Sequence, residues 1–275
     1  MSGNLIIIGN GFDIDHNIES RYKYYEKYLR ANKNGFNEFI EQIYLEPNKE
    51  KGIELWSDFE TALANPDLAC CKNIISTNYY FGSLLKIGEK ICESFSDWIK
   101  TISIEVPIKY LLNKNDKYFT FNYTGFLEAG YKIPEENINY IHGHQTKALF
   151  GSNMYGKHDG IIVGHKKCEC NDERKELIDS TEKDVYKIIR EKGSIFKSLS
   201  NLDINTIKVF GCSYCEVDYP YFELFRDMFK NAFWELGYQT QKDKDNMGTY
   251  INKLKLVKNV NYIDMKNKDL FPLID

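Results

Sequence analysis

Apolar positions along this chain fall into two patterns. A short unbroken run at residues 5–8 reads as a strand buried on both faces, and short segments at 117–121, 138–141, 207–210 and 260–264, mostly ending in glycine or a polar turn, read as further strands. Shorter runs at 161–163 and 238–241 predict two more strands. Elsewhere the apolar residues recur every three or four positions, the spacing of one helix face. That spacing predicts a helix over 20–30 capped by Ser20, a second over 35–45 ended by Pro47, and a third over 53–63. The longest stripe runs over 78–102 through Phe81, Leu84, Leu85, Gly88, Ile91, Phe95, Trp98 and Ile102, with Pro107 barring extension. A charged helix is expected over 172–191, mostly as a solvated face. A helix over 217–236 would bury Phe222, Phe225, Phe229, Phe233 and Leu236, and a last helix covers 245–256.

Strands alternating with helices imply a mainly parallel sheet with helices on both faces, an α/β, Rossmann-like architecture. Residues 20–112 carry helical patterns only and interrupt the alternation after the first strand. The expectation is one domain over 1–275 with a helical insertion at about 20–112.

Composition narrows the function classes. The chain has 275 residues, 43% of them hydrophobic, enough to bury a sizeable core. Its 20 Tyr and 17 Phe point to an aromatic-rich interior or interface. A net charge of −4 and a pI of about 5.8 give no electrostatic footprint for nucleic acid. No apolar run approaches the roughly 20 residues that span a bilayer. The first residues lack a basic segment followed by a secretory apolar core. Seven scattered cysteines suit reduced thiols better than a disulfide framework. A cytoplasmic protein without a membrane partner is the expectation.

Candidate chemistry lies where strands end, because ligands of parallel α/β sheets gather beyond the carboxyl ends of the strands. Four such ends carry polar or glycine signatures: GNGFD at 9–13, FNYT at 121–124, HGH at 142–144 and GCSYCEVD at 211–218. Glycines 9 and 11 allow close backbone approach, as a phosphate loop requires, but Ile14 stands where a full G-x-G-x-x-G needs glycine. An amide such as Asn122 donates and accepts at once, which suits a ribose hydroxyl or a water. A histidine such as His142 accepts a proton near neutral pH. His16 and His144 rank below it, and Asp13 could bind a ribose hydroxyl or order the loop.

The order LIIIGNGFDIDHNIESRYKYY, LWSDFETAL, FTFNYT, INYIHG, VFGCSYCEVDYPYF resembles the bacteriophage abortive infection AbiH family, which is distantly similar to sirtuin-like NAD-consuming defence domains. The resemblance implies antiphage defence through a sirtuin-like nucleotide pocket that hydrolyses NAD, as substrate, to nicotinamide and ADP-ribose. It implies catalytic roles for Asn122, in the Thr120-Phe121-Asn122 segment, and for His142 in its H-G pair. Gly9, Asn10, Gly11 and Phe12 match the dinucleotide-holding loop, and Asp13 and Thr120 lie beside it. Gly211 and Ser213 match a later G-x-S loop, and Asp218 an acidic position of the AbiH pattern. Asn10, Phe12-Asp13 and Tyr123 depart from the usual sirtuin residues.

Two other readings stay open: a non-catalytic nucleotide sensor acting through a second copy or a defence partner protein, and a metal-dependent hydrolase or nuclease using Asp13, His16 and Asp218. The pairs Cys168/Cys170 and Cys212/Cys215, with His165 nearby, are poorly spaced for zinc, so no metal is expected.

Overall fold

The computed structural model describes residues 3–33, 35–77, 83–147, 161–256, 259–266 and 270–274. Its strands are β1 (Gly3–Ile8), β2 (Lys117–Thr120), β3 (Ile138–Tyr140), β4 (Ile204–Phe210), β5 (Phe233–Tyr238) and β6 (Val260–Asp264). The first helices are α1 (Asn10–Asp15), α2 (Tyr22–Asn32), α3 (Phe36–Glu50), α4 (Phe59–Ala62), α5 (Leu68–Thr77) and α6 (Leu84–Thr101). After β2 come α7 (Phe126–Ala129), α8 (Lys175–Ser180), α9 (Val185–Glu191), α10 (Gly193–Ser200), α11 (Tyr219–Met228) and α12 (Gln241–Lys253).

The strands form one six-stranded sheet in the order β3-β2-β1-β4-β5-β6, every pair parallel. This is an α/β fold of Rossmann-like arrangement, with the strand order reversing between β1 and β4. Register assigns the two faces. Ile7 lies opposite Phe119 and Val209, and Ile8 opposite Thr120 and Phe210. On the first face, Phe119 meets Phe196 of α10 and Tyr221 and Phe225 of α11, with ring centroids 4.8–5.9 Å apart. On the second, Phe210 meets Phe12 of α1 at 5.4 Å, and Phe12 meets Phe126 of α7 at 6.2 Å. Helices therefore cover both faces, and Leu5 to Ile8 is buried throughout.

The described chain divides into two compact units. One comprises residues 1–19, 103–141 and 185–275 and holds the sheet; the other comprises 20–102 and 142–184. The second has its own core, in which Tyr25 packs against Trp56, Phe59, Phe95 and Trp98 at 5.2–6.1 Å while its hydroxyl shares a 2.7 Å hydrogen bond with Ser94. Gly88 of α6 lets α8 approach, since a Cβ there would sit 1.8 Å from Ser180 Oγ.

Several predicted boundaries moved. Pro47 lies inside α3 instead of ending it. Its ring leaves the Ile43 carbonyl without the usual i+4 donor, and Asp67 N–H supplies a 2.7 Å bond in its place. Asn48 Nδ2 likewise donates to the Tyr44, Ala62 and Asn65 carbonyls. Arg21, not Ser20, occupies the N-cap of α2, without a side-chain cap bond. The 53–63 pattern condenses to α4, capped by the Asp58 carboxylate accepting from Thr61 N–H. Helix α5 was not anticipated, and the start of the 78–102 stripe at 78–82 lies outside the described residues.

The segment 161–163 is not a strand: Ile162 N–H donates to the His142 carbonyl, and an isolated bridge joins His165 to Glu182. That bridge interrupts the expected 172–191 helix, which splits into α8 and α9 in different units. Its face is not mainly solvated either, because Leu177, Ile178, Val185 and Ile188 are buried. The helix expected over 217–236 ends at Met228, and Phe233 and Leu236 belong to β5. The strand expected at 238–241 ends at Tyr238, and α12 starts at Gln241 behind a Thr240–Asp243 capping box.

Candidate functional site

Two structures occupy the carboxyl ends of β1, β2 and β4. The first is an interlock of glycine loops. Gly9 N–H donates to the Phe210 carbonyl at 2.9 Å and Gly11 N–H to the Gly211 carbonyl at 2.8 Å. A Cβ on Gly9 would come within 2.6 Å of the Gly211 carbonyl oxygen, and one on Gly11 within 2.6 Å of Gly211 Cα. Gly211 has φ +73°, and a Cβ there would sit 2.3 Å from Phe12 N. Only backbone without side chains closes this tightly. Gly11 N–H is therefore committed to Gly211, and these glycines serve the closure of the loop after β1 on the loop after β4.

The second is a polar cluster. The loop after β2 is drawn to β1 by a bond from Phe121 N–H to the Ile8 carbonyl at 2.9 Å. Thr120 Oγ1 accepts from Asn122 N–H at 3.0 Å and fixes the turn. The Asn122 side chain then reaches Asp13 on α1: Nδ2 donates to Oδ1 at 2.8 Å, and Thr124 Oγ1 donates to Oδ2 at 2.7 Å. Asp13, Asn122 and Thr124 are 2%, 5% and 4% exposed. Burial pushes the Asp13 carboxyl up to about 7, against the pull of its Thr124 and Asn122 bonds toward the ionised form. Asn122 Oδ1 has no hydrogen-bond partner among the described residues. A buried acceptor left so costs about 1–3 kcal/mol.

The remaining candidates separate from this cluster. Phe12 is a core side chain, 1% exposed, between Phe210, Phe126 and Tyr131. Asn10 is the first, half-buried residue of α1. Ser213 is exposed. Asp218 lies in a short 3₁₀ turn, its Oδ2 accepting from Cys215 Sγ at 3.4 Å. His142 is 2% exposed and belongs to the unit made of 20–102 and 142–184, whereas Asn122 belongs to the sheet-bearing unit.

His16 is buried and spoken for. Tyr131 Oη accepts from the Lys109 and Tyr110 N–H groups, so its own proton goes to His16 Nε2 at 2.6 Å. His16 Nδ1–H then donates to the Phe12 carbonyl at 2.8 Å, and burial lowers the pKa of this neutral ring. Both nitrogens are used in holding α1, which leaves His16 no lone pair for a metal. Cys170 Sγ donates to Asp172 Oδ1, all seven cysteines are free thiols, and no cluster of three or more His, Cys, Asp and Glu forms a metal cradle among the described residues. Thr124 was the residue the sequence reading missed. Its signal was its place in FNYT, two positions after Asn122 and therefore able to share a turn with it.

An open parallel α/β sheet whose polar cluster sits beside the reversal of strand order has the architecture that binds nucleotides in many doubly wound proteins. Within that class the chain belongs to the bacteriophage abortive infection AbiH family, whose model matches residues 5–238. Its role is accordingly defence against phage by abortive infection. No curated protein matches it. No helix among the described residues is long and apolar enough to cross a membrane.

Proposed function

We propose that this protein acts in phage defence by consuming a nucleotide, hydrolysing NAD to nicotinamide and ADP-ribose in a sirtuin-like pocket. The observation that carries this reading is the buried Asn122 Oδ1, left without a partner at the carboxyl edge of the sheet beside the β1/β4 switch point. Its companion amide nitrogen is held by Asp13, so the oxygen is presented in one fixed direction.

Hydrolysis breaks the bond from the ribose C1′ to the nicotinamide nitrogen and makes one from C1′ to a water oxygen, with the water proton released. Nicotinamide is already a good leaving group, so a strong acid is unnecessary. Holding the sugar and the attacking water in place is the larger contribution. Asn122 is suited to that holding, and His142 is carried as a proton acceptor on its sequence position.

Incubating the purified full chain with NAD and measuring nicotinamide and ADP-ribose tests the proposal. Equal release of both products is expected, reduced about a hundredfold or more in Asn122→Ala. Saturable binding without product would replace the hydrolase with a sensor, and neither binding nor product would remove NAD from the account.

A further inference from the structure

The loop after β4 carries a motif that neither the interlock nor the polar cluster uses. Cys212-Ser213-Tyr214-Cys215 stands at the carboxyl end of a parallel strand, directly before a 3₁₀ turn and α11. A C-x-x-C in that setting is the spacing of dithiols that open and close as a disulfide.

The structure gathers both thiols about one carboxylate. Cys215 Sγ donates to Asp218 Oδ2 at 3.4 Å. Burial, and then the charges of Asp218 and Cys215, hold the Cys212 thiol well above its usual range. Burial first, and then Asp218, Cys215 and Cys212 together, raise the Tyr250 hydroxyl, so all three groups lie around one ring. Tyr214, between the cysteines, is left-handed at φ +53°, which a residue with a Cβ rarely adopts. Its ring packs against Tyr250 at 5.4 Å and Phe222 at 5.9 Å, so the surrounding structure holds that conformation against the residue's own preference. Both cysteines are only half-buried, within reach of a small solute.

The other thiols are placed less well. Cys71 and Cys92 are buried, and burial pushes each up to about 12. Cys70 adjoins Cys71 in the chain, and one residue separates Cys168 from Cys170, so a disulfide within either pair closes a smaller, more strained ring.

We propose that Cys212 and Cys215 are a peroxide-reactive dithiol that closes to a disulfide. Cys215 is the attacking sulfur, because it already donates its proton to Asp218 and precedes the 3₁₀ turn and α11, whose first N–H groups favour negative charge. Its sulfur attacks one oxygen of hydrogen peroxide, the O–O bond breaks, and the thiol proton leaves with the other oxygen as water. The sulfenic acid so formed is attacked by the Cys212 sulfur, and its hydroxyl departs with the Cys212 proton as a second water. Two thiols are oxidised to one disulfide while one peroxide is reduced to two waters. The new bond begins at the residue after Gly211, whose carbonyl accepts from Gly11 N–H in the interlock.

Treating the reduced full chain with hydrogen peroxide, blocking the remaining thiols and mapping tryptic peptides by mass tests the proposal. The peptide 209–226 is expected to lose two hydrogens and escape blocking, about tenfold or more faster than the thiols at 168 and 170 are consumed, and to regain both thiols with dithiothreitol. In Cys212→Ser the sulfenic acid should persist and be trapped by dimedone at Cys215, whereas Cys215→Ser should leave Cys212 reduced. A melting curve beside each variant shows that a folded chain was treated. Two free thiols in 209–226 after treatment of the folded wild type, a sulfinic acid there with no disulfide, or a disulfide joining two chains would overturn the dithiol. Equal trapping in the two variants would overturn Cys215 as the attacking sulfur.

Discussion

The glycine interlock and the polar cluster lie on the same edge of the same sheet and share α1, yet they end in opposite states. In the interlock, Gly9, Gly11 and Gly211 spend the backbone donors at 9 and 11 on the neighbouring loop and leave no room for a Cβ. In the cluster, a carboxyl is buried at energetic cost and an amide oxygen is left unpartnered. A motif that looks like a ligand loop is here a packing device, while Asp13, two positions beyond Gly11, and Asn122, in the loop after another strand, carry the buried carboxyl and the unpartnered oxygen. Closure satisfies its own groups; a binding site leaves something for the ligand to satisfy.

Four measurements would break or sharpen that contrast. The largest effect belongs to the interlock. A valine at position 11 reads from sequence as a steric block to nucleotide in an otherwise intact fold. With Gly211 Cα 2.6 Å from the new Cβ, Gly11→Val is expected instead to destabilise the protein by about 3 kcal/mol or more. Unchanged chemical denaturation would show that the loops can part cheaply, and the contrast would fail.

Next comes Asp13→Asn. The carboxyl is raised from 3.8 to about 7 on folding, so the folded state holds a proton that the unfolded state gives up. Its contribution is fully favourable below pH 4, fades as pH rises from 4 to 7, and levels off above that. The variant should therefore match the wild type near pH 4 and exceed it by a few kcal/mol at about pH 8. Denaturation curves at the two pH values check this, and a difference independent of pH would show that Asp13 is not buried in its acid form.

Thr124→Val removes a donor to Asp13 while keeping the shape. A loss of roughly 1–2 kcal/mol is expected at pH 8, and a smaller one at pH 5, where the carboxyl is protonated. The carboxyl itself should titrate higher than in the wild type, as carbon-13 NMR of Asp13 would record.

Ser213→Ala should do least. The side chain is exposed, two residues beyond Gly211, and its stability change should stay within about 0.5 kcal/mol. A larger shift would extend the interlock past the glycines.

Much of this molecule was legible in the chain because local patterns carried it. The segments at 5–8, 117–121, 138–141, 207–210 and 260–264 marked five of the six strands: 5–8 is apolar without a break, as a strand buried on both faces must be, and the others are short, rich in β-branched and aromatic residues and bounded by glycine or polar turns. The sixth, β5, hid in a false helical stripe. Phe225, Phe229 and Phe233 are spaced four apart, but Phe233 is 41% exposed and the alternation of Trp234 and Leu236, both buried, is what pairs with β4 and β6. Two periods overlapped there, and hydrogen bonds to neighbouring strands chose between them. Pro47 survived in α3 for a similar reason: the donor that satisfies the Ile43 carbonyl comes from Asp67, twenty-four positions away in the chain.

The candidate site divides along the same line. The residue types at 9–13, 120–124 and 211–218 were visible, and so was their placement at strand ends. What each would do was not, because it depends on partners that local sequence cannot name. Gly11 became packing when Gly211 met it. Asn122 became a directed acceptor when Asp13, 109 positions away, took its amide nitrogen. Sequence determined the alternation of elements and where polar residues would surface, through short-range sterics and burial. Only the tertiary structure decided which polar groups were already paired, since a hydrogen bond is settled by the distance between atoms in space.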